Sequence, residues 1–195
     1  MARDWDDVAA EIAAKRIEDR EARIYALLGV CEDCAGLPAT QLTPRKLLLL
    51  ELCGNAFLVG GAVEAADVAQ FLWIVSPKYT TNSEAAREFA KTVGDLDFKE
   101  AAEGIQEWLE IQMIDLPTSK STGMISGRVW VAQYVDLFAS EYGWTESHIL
   151  DMPVLCLGQY KNEIIARLSG TPAKEPTSSR EDRLKSEWLK EVRNG

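Results

Sequence analysis

The sequence predicts an all-α protein, a compact multi-helix domain with an amphipathic helical extension at each end. Three observations predict this class. Apolar residues recur at helical spacing through most of the 195 residues, and proline and glycine interrupt that periodicity where helices are expected to end. No segment alternates apolar and polar residues between turn dipeptides, so sheets are not expected. We also find no repeat of fixed period, which argues against a solenoid.

The first helix is expected from Trp5 to Leu28, where the sequence avoids proline and glycine and is rich in Ala, Glu, Arg and Ile. Trp5, Val8 and Ile12 are spaced for one face of this helix, which is otherwise strongly charged. Residues 29–41 then contain two glycines and a proline, which end the helix and predict a loop.

A second, short helix is expected to begin at Thr43 and Pro44. Threonine is a good N-cap, and proline is favoured at the first helical position because its missing N–H is not needed there. The leucines that follow are apolar on every side of the helix, which predicts a central position enclosed by other helices. These leucines are Leu47, Leu48, Leu49, Leu50 and Leu52.

A third helix is predicted to end at Ser76, because the proline that follows disfavours helix in its predecessor. Its apolar residues have the spacing i, i+3, i+4 and i+7, which places them on one face. They are Val68, Phe71, Leu72 and Val75.

Two further helices begin at capping-box spacings, in which side chains satisfy the unpaired amides of a first turn. Thr81 with Glu84 predicts one start, and Asp97 with Glu100 predicts the other. The second of these helices has an apolar stripe opposed by glutamates, as in a surface helix. The stripe consists of Ala101, Ile105, Trp108, Leu109 and Met113.

Residues 116–127 are predicted to form a mobile linker, since small polar residues and glycine bury too little surface to order themselves. A helical apolar face follows, Thr145 caps a short turn, and a last core helix runs from Pro153 until Gly170 closes it. The apolar face consists of Val131, Tyr134, Val135 and Phe138.

Residues 171–179 are polar and contain prolines, which predicts a hinge. Beyond it Leu184, Trp188 and Val192 recur every fourth residue among charged residues, so the C-terminus is predicted to be a detachable amphipathic helix. The expected organisation is an N-terminal amphipathic helix and loop over 1–41, a helical core domain over 42–170, and the hinge with the C-terminal helix over 171–195.

The charge balance excludes some function classes. The net charge is −10, and no stripe of lysine and arginine is present to neutralise phosphates, so nucleic-acid binding is not expected. The first residues lack the pattern of a signal peptide, and no apolar run approaches the roughly 18 residues of a membrane span. Acidic end helices are also poor ligands for anionic lipid. A cytoplasmic protein is therefore expected, with thiols rather than disulfides.

No residue pattern predicts catalysis or a cofactor. Cys31 and Cys34 are spaced to grip one zinc ion, but a structural zinc site needs four ligands and no second cysteine pair follows, so they are a weak metal candidate. One functional interpretation is a metal-dependent or thiol enzyme that uses Cys31 and Cys34 together with His148. The simpler one places the cysteines in a loop, with one thiol packed as an apolar group, and His148 in a capping turn.

The tryptophans are more informative, because tryptophan buries a large area and is favoured where proteins bind each other. Trp5 and Trp188 lie on the amphipathic end helices, whose apolar faces need a partner from self-association or from a client protein. The residues predicted to bind a partner are Trp5, Phe71, Trp73, Trp144, Met152, Leu184 and Trp188.

The middle of the chain carries a set of short motifs. They are Leu42-Thr-Pro44, Leu47 to Glu51, Asn55-Ala-Phe57, Gly60-Gly61, Asp67 with Phe71-Leu-Trp73, Ser76-Pro77, Tyr142-Gly-Trp144-Thr-Glu146, and Ile149 to Pro153. Together they resemble the tail assembly chaperones of tailed bacteriophages and prophages. The resemblance spans about residues 42–168, so the N-terminal helix and the segment after Gly170 lie outside it.

The resemblance implies a non-enzymatic chaperone of the host cytoplasm. It implies binding to the long helical tape-measure protein, whose apolar faces stay soluble until tail-tube subunits assemble around it. Chaperones of this class are often made in short and frameshifted long forms. The alternative function is a structural virion protein, a head-to-tail connector or a tail-completion component, whose helices assemble into a ring as a closed homo-oligomer.

Overall fold

The computed structural model describes residues 3–30, 32–113, 127–170 and 179–194. Helices dominate these residues, which confirms the predicted all-α fold. The elements are α1 (Trp5–Leu28), β1 (Glu32–Cys34), β2 (Leu37–Ala39), α2 (Pro44–Leu52), α3 (Ala56–Val59), α4 (Ala65–Val75), α5 (Ser83–Val93), α6 (Phe98–Gln112), α7 (Gly127–Tyr142), α8 (Glu146–Asp151), α9 (Val154–Ser169) and α10 (Ser179–Asn194).

Most helix starts are capped as the sequence predicts. The Thr43 side chain accepts a hydrogen bond from the Lys46 amide at 3.3 Å, and the Asp97 carboxylate accepts one from the Glu100 amide at 2.9 Å. At α5 the predicted N-cap is wrong by one residue, because Asn82 rather than Thr81 accepts from the first-turn amides. Asparagine is the better N-cap of the two, which accounts for the shift.

The segment predicted to be a loop after α1 contains a β-hairpin. β1 and β2 pair antiparallel, with Cys34 opposite Leu37. The two turn residues, Ala35 and Gly36, have φ of 51° and 76°, as a two-residue hairpin turn requires. The expectation of no sheet is therefore wrong here, because strands of three residues are too short to show alternation. The hairpin packs on α6 at Gly104, where a Cβ atom would lie 3.2 Å from the Ala35 Cα atom.

The largest apolar core lies among α2, α4, α6 and the hairpin. At its centre Phe71 is fully buried, with its ring centroid 5.5 Å from that of Phe57 and 6.0 Å from that of Trp108. The central position predicted for α2 holds on one side of the helix only. Leu47 and Leu50 are buried there, whereas the Leu52 side chain is 83% exposed at the helix end.

A second core joins α7, α8 and α9. Its buried residues include Tyr134 and Phe138 of the predicted apolar face of α7, together with Ile149 of α8. Gly170 ends α9 with a left-handed φ of 66°, as predicted from its position after the last apolar residue. The predicted mobile linker, residues 116–127, lies outside the described residues except for Gly127, which begins α7.

α1 packs along two different neighbours. Its C-terminal half buries Ala22 and Ala26 against Leu155 and Cys156 of α9, and its N-terminal half lies along α10. Both end helices therefore pack against other helices of the chain. The division of the chain at residues 41 and 171 stays a prediction. The predicted hinge at 171–179 lies outside the described residues except for Ser179, which begins α10.

Candidate protein-binding site

The residues predicted to bind a partner fall in three separate regions of the fold. Phe71 and Trp73 lie on α4, Trp144 and Met152 lie around α8, and Trp5, Leu184 and Trp188 lie where α1 meets α10.

The two α4 residues stabilise the packing of the core. Phe71 has no exposed surface, so it cannot contact a partner in this fold. Trp73 is half-buried, and its ring centroid lies 5.7 Å from that of Tyr79 and 5.3 Å from that of Phe89. Trp73 therefore attaches α5 and the preceding turn to α4, and leaves only part of its ring accessible.

The end-helix tryptophans contact each other. The ring centroids of Trp5 and Trp188 lie 4.6 Å apart, and the Trp188 indole N–H donates to the Arg3 carbonyl at 3.1 Å. Val8 and Ile12 of α1 pack with Leu184 and Trp188 of α10 in one small apolar cluster. We call this contact the clasp. The apolar partner that each end helix needs is thus supplied by the other end of the same chain.

Ion pairs surround the apolar cluster of the clasp. The Arg16 guanidinium donates to both oxygens of Glu181, at 2.9 and 2.6 Å, and Arg3 donates to Glu191 at 3.1 Å. The Glu181 side chain is only 3% exposed and also pairs with Lys185. The hydrogen bond from Arg16 is the main reason that the pKa of Glu181 is lowered.

Aromatic rings gather around Trp144. Its ring centroid lies 4.8 Å from that of Tyr142, 5.6 Å from that of Phe138 and 5.3 Å from that of Tyr160. His148 packs edge-on against the same indole at 5.4 Å, while its backbone N–H donates to the Thr145 hydroxyl. The histidine therefore lies in the predicted capping turn.

An apolar cavity of about 440 Å³ lies beside these rings, between the end of α1, α8 and the start of α9. We call it the α1–α8 cavity. Leu27 and Leu28 at its edge are 53% and 69% exposed, and Met152 is half-buried in its wall. The residues that line it include Ala26, Leu27, Leu28, His148, Met152 and Tyr160. Its surface is mainly apolar and open to solvent.

One acid at the edge of the cavity is already paired. Asp151 accepts two hydrogen bonds from Arg45 of α2, at 2.6 and 3.1 Å, and these lower the pKa of its carboxyl group. This pair links α8 to α2 across the fold.

Further exposed apolar side chains lie on the two helices that border the cavity. They are Ile17, Ile24 and Tyr25 of α1, and Ile165 and Leu168 of α9. Sequence reasoning named Met152 but missed Leu27 and Leu28. Their positions at the end of an amphipathic helix are visible in the sequence, yet only the packing of α1 on α9 shows that these two leucines face solvent.

Cys34 and Cys156 are buried, which disfavours thiol chemistry at these two positions. Burial raises the pKa of the Cys34 thiol to about 12 and that of Cys156 to about 11, so both are neutral thiols packed as apolar groups. Cys31, the other half of the weak zinc candidate, lies outside the described residues. Within the ranges the structure describes, no group of three or more His, Cys, Asp or Glu side chains is arranged to hold a metal ion.

The described parts of the chain contain no helix that is both long and apolar enough to cross a membrane. Comparison of the chain with protein-family models, with curated proteins and with solved structures gives no match. Fold and surface together define a class: an all-α protein with a closed helix–helix clasp and an open apolar cavity.

Proposed function

We propose that this protein is a non-enzymatic tail assembly chaperone, which binds the helical tape-measure protein of a tailed phage through the α1–α8 cavity. The observation that carries the proposal is the open apolar cavity with Leu27 and Leu28 exposed at its edge. The resemblance of residues 42–168 to such chaperones names the client.

The cavity suits a helical client. Helix-in-groove recognition uses a few apolar side chains from one helix face, which enter an apolar depression on the receiving protein. A volume of about 440 Å³ with Met152, Tyr160 and Leu28 around it accepts one or two large aliphatic or aromatic side chains. The resemblance implies that a tape-measure protein has apolar helix faces of this kind before tail assembly.

The charge of the chain fits the same role. A client with long apolar stripes tends to associate with itself, and a bound protein with net charge −10 keeps the complexes apart by mutual repulsion. Binding of this kind needs no nucleophile, cofactor or metal. It needs only exposed apolar side chains on a stable helical body.

The test is co-expression with the longest coiled-coil-rich protein encoded beside this chain, followed by size exclusion with light scattering. We expect a defined soluble complex. Leu28→Glu should lower the affinity at least tenfold, which corresponds to about 1.4 kcal/mol, because a charge then lies where an apolar side chain enters. Leu52→Glu is the matched control, since Leu52 is more exposed and lies on α2, outside the cavity.

Two results would contradict the proposal. One is that no co-expressed tape-measure protein becomes soluble. The other is that the chain forms a closed homo-oligomer of fixed size that ignores the tape-measure protein, which favours the alternative of a connector or tail-completion ring.

A further inference from the structure

The α1 half of the clasp has the form of a docking surface for one helix. Trp5, Val8 and Ile12 present an apolar face that is bounded by Arg3 at one end and by Arg16 at the other. Val8 and Ile12 are buried only because another helix lies over them. The surface therefore specifies an apolar helix that carries acids at both ends of its contact face.

α10 satisfies this specification with four residues. Leu184 and Trp188 lie one turn apart and fill the apolar face, while Glu181 precedes them by three residues and Glu191 follows them by three. Glu181 pairs with Arg16 and Glu191 pairs with Arg3, so the two helices are antiparallel. Because an arginine bounds each end of the face and a glutamate flanks each side of the apolar pair, these charges fix the register of α10 along α1.

We propose that this face of α1 is a helix-binding surface, that α10 covers it as a releasable strap, and that the partner which displaces α10 is an amphipathic helix with the same acid–apolar–apolar–acid pattern. This goes beyond the proposed function, because the surface is separate from the α1–α8 cavity and its partner is defined by charge as well as by apolar contact.

The strap is held weakly enough to be released. Among the described residues the apolar cluster consists of four side chains, and Trp5 at its edge is still 43% exposed. The arginines of the flanking ion pairs are largely exposed, and such pairs stabilise little in water. α10 competes well because it belongs to the same chain, which gives a tethered segment an effective concentration on the order of millimolar.

A labelled peptide tests the proposal without any client protein. A fluorescein-labelled peptide of residues 179–194 is titrated by anisotropy with the full-length wild type and with full-length Leu184→Glu/Trp188→Ala, whose own strap is disabled. We expect the peptide to bind the variant at least tenfold more tightly than the wild type. Equal affinity for the two chains, or binding to neither, overturns the proposal.

Charge reversal tests the specified pattern. Arg16→Glu added to the strap-disabled variant should weaken peptide binding about fivefold, and a peptide with Glu181→Arg should restore it. Retention of binding by the Arg16→Glu chain contradicts the surface described above. Each variant is expected to fold, because the clasp residues do not belong to the main core. Circular dichroism melts check this.

Two measurements on the unaltered chain complete the test. The backbone amides of α10 should exchange with solvent faster than those of α4. If the α10 amides exchange only through global unfolding of the chain, the proposal of a releasable strap is overturned. Light scattering tests whether a second copy of the chain covers the α1 face. A stable wild-type dimer that the substitutions Leu184→Glu/Trp188→Ala dissociate also overturns the proposal. None of these results depends on whether a tape-measure protein binds the cavity.

Discussion

The main core and the clasp both join helices, but they do so by different means. Around Phe71, the α2–α4–α6 core buries apolar side chains on all sides, and several of them have no exposed surface. The clasp buries three apolar residues with Trp188 partly buried against them, and it adds ion pairs at its edges, including those of Arg3 and Arg16. Apolar burial thus dominates in the core, and charge makes a much larger relative contribution in the clasp.

The two regions should therefore respond differently to salt and acid. Removing apolar surface from water gives the largest favourable contribution to folding, and dissolved ions do not screen it as they screen an ion pair. Exposed ion pairs contribute little each and weaken as salt or acid is added. The core therefore sets whether the chain folds, whereas the clasp sets whether the two ends of the folded chain stay together.

The largest effect is expected from Phe71→Ala. Truncating a fully buried phenylalanine removes its contacts with Phe57 and Trp108 and leaves a cavity, which costs about 3–5 kcal/mol in the free energy of unfolding. Urea denaturation followed by circular dichroism measures it. Leu52→Ala is the control, with an expected change within about 0.5 kcal/mol, since this leucine is exposed. Similar costs for both variants would contradict the assignment of Phe71 to the core.

A smaller loss is expected from Gln112→Leu, which tests a polar contact inside the main core. The buried Gln112 side chain accepts a hydrogen bond from the Leu42 amide at 3.1 Å and donates one to Glu32 at 3.0 Å. Its replacement leaves the Leu42 amide without a partner, which should lower the free energy of unfolding by about 1–3 kcal/mol. The pKa of Glu32, already raised by burial, should rise further. Denaturation and carboxyl titration by NMR measure both effects. Gln106→Leu, at an exposed position of the same helix, should change neither.

Trp188→Ala should act locally, on the clasp alone. It removes the ring contact with Trp5, worth about 0.5–1.5 kcal/mol beyond the area buried, and the hydrogen bond to the Arg3 carbonyl. We expect the α10 amides to exchange with solvent several-fold faster while the main-core amides keep their protection. Leu189→Ala, one residue along the same helix and largely exposed, should leave α10 exchange unchanged. A matching loss of protection in α4 would show that the clasp and the core unfold as one unit.

The smallest effect is expected from acid. Since the pKa of Glu181 is lower in the folded chain than in the unfolded chain, its pairing with Arg16 and Lys185 stabilises the clasp fully above the ordinary carboxyl pKa. That contribution is lost as pH falls through the lowered value, so the clasp should weaken below about pH 4. Fluorescence of the Trp5–Trp188 pair against pH measures it. Glu181→Gln should remove the change in fluorescence below about pH 4. If the change persists in this variant, it is due to the titration of another group.

Local signals in the sequence were sufficient for several helix boundaries. Thr43 and Asp97 cap their helices with their own side chains, and Gly170 ends α9 because it adopts a positive φ at little cost. Each of these effects involves residues within one turn of each other. The helix periods were also sufficient for the core, since Val68, Phe71 and other residues of their stripes are buried as predicted.

The candidate site needed contacts between residues far apart in the chain. An apolar stripe on an amphipathic helix shows that something must cover it, but it does not show what does so. The stripes at Trp5 and Trp188 predicted a partner, and the tertiary structure paired them with each other. It also left Leu27 and Leu28 exposed beside Met152, at residues more than a hundred positions apart. Apolar attraction has no direction of its own, so only the folded geometry decides which faces meet and which stay open.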